Sequence, residues 1–509
     1  MKKSIKVLIC ALCLVFCLGI LASCGPTGST ETATPAPTGN ATSAATSTSE
    51  AGDPYLRPRD ESLKNAVKEG ETYRYFIYTT NDPNNPFEAE NDENREFNLN
   101  RKSHYEAAYG ITIEYVVTVA DWANSFAAAA YVGTPTTDVY NAGGPFTMYA
   151  NYNYQGNPGA VLEPLSQYSE YADFNDSEWY DTESQKVSTF SGDLYFAIPN
   201  MIGVDGVSLN QVVFFNKEIL AANGYEDDEI YQMYKDGSWT WEKFREIALA
   251  CTDLDNDVYG ITMGENNALM WGLLPSNNAA ILSQIEDAES GQTYWGFTGN
   301  SDNALEAWDF FIQLGKDQSI YLSSSPLEAA FFRAGNTAMM STYVNRAGML
   351  TNERSYPQFG IVPVPKGPKA DNYVSSCNWF VPLCVFKGTS NPAGSVQFLS
   401  EYCAPRYARS SEEAMASFDA DAMKIVCDEE SIEVLRFIPE ISITEPYIIY
   451  WTTPTFTSGA GEMPLAYLFW NYNEAFIDGS QTPAVLFESV EGALNETLKN
   501  AQIILSTDE

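Results

Sequence analysis

Three β-rich runs near the front of the chain alternate with two stretches of helical period, and that alternation decides the fold class. The runs are TYRYFIYTT (72–80), ITIEYVVTV (111–119) and TTDVYNAGG (136–144). Between the first two, NREFNLNRKSHYEAAYG places Phe97, Arg101, Tyr105 and Ala108 at helical spacing. Between the second and third, DWANSFAAAAYVG (121–133) reads as a helix stopped by Gly133. Strands that follow one another through helical crossovers pair in parallel, so the pattern predicts an α/β fold with mainly parallel sheets.

The same grammar continues. GDLYFAIPN (192–200) reads as a hairpin-like segment stopping at Pro199, and VSLNQVVFFN (207–216) as a strand entering the helix KEILAANG. SWTWEKFREIALACTD (238–253) is a helix with Thr240 at its N-cap and Phe244, Ile247, Ala248 and Cys251 facing inward. NALEAWDFFIQLGKD (303–317) is another helix, and TAMMSTY (337–343) and QFGIVPVP (358–365) are strands. NPAGSVQFLSEYC (391–403) starts a helix, and residues 482–505 form a long amphipathic one with Pro483 in its first turn.

The N-terminus carries an address. Lys2, Lys3 and Lys6 precede an apolar run, Val7 to Ala22, too short for the ~20 residues that span a bilayer. Leu21-Ala22-Ser23-Cys24 has the form of a bacterial lipobox, so 1–23 reads as a lipoprotein signal peptide and Cys24 as the acylated first residue. Residues 24–54, almost entirely small and polar, read as a disordered tether.

Charge narrows the partners. The formal net charge is −39, and removing 1–23 takes away three lysines and no acid, leaving the mature chain near −42. Such a chain does not suit nucleic acid or an anionic membrane surface, so membrane contact is expected through the lipid alone. Five cysteines remain after Cys24, at 251, 377, 384, 403 and 427, with no CxxC, and they define neither a disulfide framework nor a zinc site. The one histidine, His104, lies on the first helix and reads as a solvated residue rather than a catalyst. DLDNDVYGITMGE (253–265) begins like a calcium loop, with Asp253, Asp255 and Asp257 at positions 1, 3 and 5. Val258 and Gly264 then stand where glycine and glutamate are needed, which leaves a solvated acidic turn as the alternative. No phosphate-binding loop is present, and neither a cofactor nor a resident metal is expected.

Eight motifs, DVYNAGG, GDLYFAIP, VVFFNKEILAANGY, TWEKF, GNTAMMSTY, FGIVPVPKGP, NPAGSVQFLSEY and TPAVLFESVEGAL, occur in an order and spacing that resemble the extracellular solute-binding proteins of ABC importers, family 1, the maltose-binding-protein-like group. The resemblance covers roughly residues 71–505. It implies a type II periplasmic-binding-protein-like fold of two α/β lobes around a hinge, in a monomer that is not an enzyme. Lobe 1 is expected over 71–198 plus 334–388 and lobe 2 over 199–333 plus 389–509, with crossings near Ile198-Pro199, Ala334–Thr337 and Lys387–Asn391. The ligand would be a sugar or other polar solute captured by hinge closure, and the partners the permease subunits of an importer.

Ligands of open α/β folds sit beyond strand C-termini, and neutral sugars call for aromatic faces with hydrogen-bonding side chains. The loops in question offer Asp121 and Trp122, Phe146 and Tyr149, Tyr343 and Arg346, and Asn378 and Trp379. Trp271 lies where the resemblance places a ligand-facing aromatic, and Trp451 occupies a comparable late loop. Asp121 serves equally well as a helix cap, and any of these aromatics serves equally well as core. Trp239, Trp241, Trp295 and Trp308, in helix or strand patterns, read as core. Two further readings stay open: an extracellular glycoside hydrolase with a carboxylate pair hidden among 67 acids, and the same binding fold with a peptide ligand.

Overall fold

The computed structural model describes residues 53–77, 92–116, 122–141, 158–190, 192–201, 203–226, 228–264, 267–322, 328–351, 358–377, 382–405, 407–426, 428–447, 455–458 and 461–502. The signal segment, Cys24 and all but the last two residues of the expected tether lie outside them.

The chain begins with β1 (Thr72–Ile77), β2 (Thr112–Val116) and β3 (Val139–Asn141). A short hairpin, β4 (Thr189–Phe190) and β5 (Asp193–Leu194), precedes β6 (Gln211–Asn216) and β7 (Tyr259–Thr262). A longer hairpin, β8 (Leu282–Glu286) and β9 (Thr293–Phe297), leads to β10 (Ile320–Tyr321), β11 (Thr337–Tyr343) and β12 (Phe359–Pro363). Then come β13 (Ser375–Cys377), β14 (Leu383–Val385), β15 (Ser442–Thr444) and a last hairpin, β16 (Thr455–Ser458) with β17 (Gly461–Pro464).

Two sheets organise these strands. The first has the order β14-β3-β1-β2; β1 is parallel to β2 and β3, and β14 runs antiparallel to β3. The helices Asp92–Tyr109 and Trp122–Tyr131 make its crossovers. The second has the order β10-β7-β11-β6-β12, with β10, β7 and β11 parallel and β6 antiparallel to both neighbours. It is therefore evenly mixed rather than mainly parallel, because β6 enters from the other sheet without a preceding crossover helix of its own.

The expected division of the chain needs a correction. β11 and β12 pair with β6 and β7, so residues 337–363 belong with the second sheet and not with the first. The chain returns only between β12 and β14. The helix Pro392–Phe398 then packs back on the first sheet, where Val396 and Phe398 share a core with Tyr73, Tyr105, Ile113 and Leu383. An apolar run announces that a strand is buried but not which strands it will lie beside.

Local chemistry explains the elements around the second sheet. All six residues of β6 are buried, as a strand covered on both faces requires. Its last residue, Asn216, accepts from the Glu218 and Ile219 amides at 3.0 and 3.1 Å and so starts the next helix. Thr240 stands at the N-cap of Trp241–Ala250, but its side chain makes no capping bond. The core beneath holds Trp239, Trp308 and Trp271, while Trp295 packs only at its edge. Among the described residues no helix is long and apolar enough to cross a membrane, and Cys251, Cys384 and Cys403 are free thiols.

Candidate functional site

The ends of β11, β13 and β15 meet where the chain passes from one sheet to the other. Residues 208–211 gather them. Beyond Tyr343, the Val344 amide donates to the Asn210 carbonyl at 3.0 Å and the Asn345 amide to the Ser208 carbonyl at 2.8 Å. The Ser375 hydroxyl donates to the Gln211 carbonyl at 2.7 Å, and the Asn210 side-chain amide donates to Ser442 Oγ at 2.7 Å. β13 and β15 are parallel, with Cys377 opposite Thr444. Strand C-termini of an open α/β fold are where ligands bind, and here two of them lie side by side next to a third.

An aromatic stack closes one side. Asn267, in the left-handed region at φ 57°, caps the helix Ala268–Leu273 by accepting from the Met270 amide. Its own amide donates to Asn473 Oδ1 at 3.0 Å. The Gln211 side chain donates to the Ala268 carbonyl, which ties this helix to the start of β6. Trp271 on that helix stacks on Tyr447 at 4.3 Å and meets Phe469 at 4.5 Å. The Tyr447 hydroxyl is held well above its ordinary pKa, by burial first and then by neighbouring Tyr343, Glu445 and Cys377. Tyr343 ends β11, Cys377 ends β13 and Glu445 directly follows β15, so the three strand ends share one locus.

Glu445 is the unusual group there. Its exposure is 4 %, and its Oε2 has no hydrogen-bond partner among the described residues. Burial pushes its carboxyl up to about 8, against the opposing pull of the Ile281 backbone amide. At neutral pH it is an uncharged acid, able to donate as well as accept. Sequence reasoning passed over it. The signal was a lone acid in the stretch ISITEPYIIY, where Ile and Tyr predominate and no other charged side chain occurs.

Of the residues expected from the sequence to contact a ligand, Trp271 and Tyr343 lie at this junction, and Arg346 lies three residues beyond Tyr343. Trp271 is 1 % exposed and covered by protein. Tyr343 is half-buried at the end of β11. Arg346 Nε stands 3.3 Å from Oε1 of buried Glu328. Trp122 is the first residue of the helix Trp122–Tyr131. Asp121, Phe146, Tyr149, Asn378, Trp379 and Trp451 lie outside the described residues. Asn378 directly follows Cys377 in the chain, and Trp451 follows Tyr447 by four residues.

Other sequence candidates resolve differently. His104 sits 2.7 Å from Asp53 and packs at 4.5 Å against the Tyr55 ring, so it fastens the segment entering the fold. In the acidic turn, Asp253 pairs its backbone with Val258 and accepts from the Asn256 side chain at 2.7 Å. Among the described residues no three His, Cys, Asp or Glu side chains gather in a way that could hold a metal ion.

Residues 101–425 match the family described as bacterial extracellular solute-binding protein. No protein of curated function matches the chain. Solved structures do. The sugar-binding protein MalE of Xanthomonas citri aligns with a TM-score of 0.59 at 15 % identity, over 86 % of this chain and 100 % of that one. The cyclic α-maltosyl-1,6-maltose binding protein of Arthrobacter globiformis aligns with a TM-score of 0.57 at 12 % identity, over 85 % and 100 %. The ABC substrate-binding protein Lmo0181 of Listeria monocytogenes, solved with cycloalternan, aligns with a TM-score of 0.51 at 15 % identity, over 84 % and 99 %. At these identities the likeness is one of fold, the two-lobed α/β architecture of periplasmic binding proteins.

Proposed function

The chain belongs to the bacterial extracellular solute-binding proteins, and from that premise we propose that it captures a sugar or oligosaccharide by hinge closure and passes it to an ABC importer. It acts as a monomer held to the outer face of the cell membrane through acylated Cys24, with residues 24–54 as its leash. The single observation that carries the ligand reading is the meeting of β11, β13 and β15 ends at a locus rich in aromatics and hydrogen-bonding groups. Sugar rings stack their C–H faces on indole and phenol rings, and their hydroxyls pair with amides, carboxyls and guanidinium groups. Asn378 and Trp379 after β13, Trp451 after β15, and Tyr343 and Arg346 after β11 would supply these contacts. Asp121, Trp122, Phe146 and Tyr149, after β2 and β3, would complete the opposite wall. The proteins of like fold named for maltosides or solved with cycloalternan support the sugar class.

Closure follows from the same positions. A ligand held by loops of both sheets favours the closed state by the difference in its contacts between states. Thermal shift of the mature chain against linear and cyclic gluco-oligosaccharides, with chromatography of the sugar afterwards, tests the proposal. The expected result is a raised Tm with the sugar recovered intact. Shorter products would favour a glycosidase, and a shift with peptides alone would change the ligand class.

A further inference from the structure

A groove of roughly 570 Å³ is lined by none of the residues named at the strand-end junction. One wall is made by Lys186, Thr189 and Gly192; the other is the β8–β9 hairpin with the end of the C-terminal helix Pro483–Gln502. The size falls in the range of small-molecule sites, about 300–1,000 Å³.

Its lining is specific. The hairpin register sets Gln284 opposite Trp295, so the two side chains share one face of the ribbon. Gln502 pins that position: its Oε1 accepts from the Trp295 amide at 2.7 Å and its Nε2 donates to the Trp295 carbonyl at 3.0 Å. The indole is half-buried, fixed at its backbone and open toward the groove. The amide groups of Gln284 and Gln292 have no hydrogen-bond partner among the described residues. Among the described lining residues the one charged side chain, Lys186, is paired with Glu183. In a chain of net charge −39, this is an electrically quiet pocket with an aromatic platform and free amides. Such chemistry selects neutral polyhydroxyl rings over ions and over purely apolar ligands.

The two walls share a core, since Val187 beside the first wall packs in the same cluster as the hairpin. The first wall leads into β5, where Leu194 joins the core under the first sheet. The hairpin packs through Leu282 and Phe297 into the core of the second. Beside the groove, the Ser184 hydroxyl bonds that of Thr444, at the end of β15.

We propose that this groove is a second carbohydrate site, taking one or two sugar rings against Trp295 with Gln284 and Gln292 as hydrogen-bonding partners. It rests on its own lining and not on the strand-end site. The test is calorimetric titration of the mature chain with maltotriose and, separately, cellotriose. Trp295→Ala, Gln284→Ala and Tyr343→Ala are compared with the parent, and Trp295→Phe serves as the conservative variant. The expected result is a binding event that weakens tenfold or more in Trp295→Ala, weakens in Gln284→Ala, returns largely in Trp295→Phe, and persists in Tyr343→Ala. If every event survives Trp295→Ala unchanged, or if neither sugar binds once the strand-end site is disabled by Tyr343→Ala, the proposal is overturned.

Discussion

Trp271 and Tyr447 stack with ring centroids 4.3 Å apart and planes 17° from parallel, although they come from distant parts of the chain. The pair locks the helix Ala268–Leu273 to the segment after β15. Both rings are almost fully buried, so Trp271 presents no open face to a ligand in this structure.

Trp271→Ala is therefore expected to act first on stability. Removing a buried tryptophan costs about 3–5 kcal/mol, through lost burial and the cavity left behind. Urea denaturation should show this as a lower midpoint with an unchanged slope. A variant as stable as the parent would mean that the ring is not held in the core in solution.

Glu445 gives the pH dependence a sign. Its ordinary pKa of 4.5 rises to about 8 in the fold. Between those values the unfolded chain releases the proton and the folded chain keeps it. Its contribution is fully present below about 4.5 and is lost as pH rises to about 8. Glu445→Gln should remove that slope, so that the variant gains on the parent between pH 5 and pH 8 by ~2 kcal/mol or more. Parallel Tm profiles for the two proteins would contradict the burial of this carboxyl.

Asp428 anchors the second sheet's flank. It pairs with Lys217 at 2.7 Å, both largely buried, and caps Glu429–Ile441 by accepting from the Ser431 amide at 2.8 Å. Burial works to raise its pKa, but Lys217 and Ser431 outweigh it and hold the carboxyl below its usual range. Asp428→Ala strands the lysine and removes the cap, so a loss of about 3–5 kcal/mol is expected by denaturant melt. A loss under ~1 kcal/mol, the size of an exposed pair, would show that the site is wet.

Much of this fold was legible because its signals are local. VVFFN could only be a buried strand, and Asn216 at its end caps the next helix without help from elsewhere. Pro483 opens the last helix where expected. What escaped depends on partners far along the chain. Nothing within TAMMSTY says that it lies between β6 and β7, and this shifted the expected boundary. Trp295 reads as core from its strand pattern, yet its exposure is set by how Gln502 holds the hairpin edge. Glu445 looks like an ordinary acid until the neighbours that bury it are known.

The segment entering the fold is clamped rather than loose. The Arg57 guanidinium lies 3.9 Å over the Trp179 ring and donates to the Ser400 carbonyl at 2.8 Å. Arg57→Ala should raise amide exchange across residues 53–60 by tenfold or more while leaving β6 unchanged. Equal exchange in parent and variant would show that the clamp does not form.

Small-angle scattering of the mature chain, with and without the oligosaccharide that raises its Tm most, tests sugar capture by hinge closure most directly. Closure predicts a smaller radius of gyration at saturation, reversed when the sugar is dialysed away. A saturated protein whose scattering matches that of the free one would contradict it.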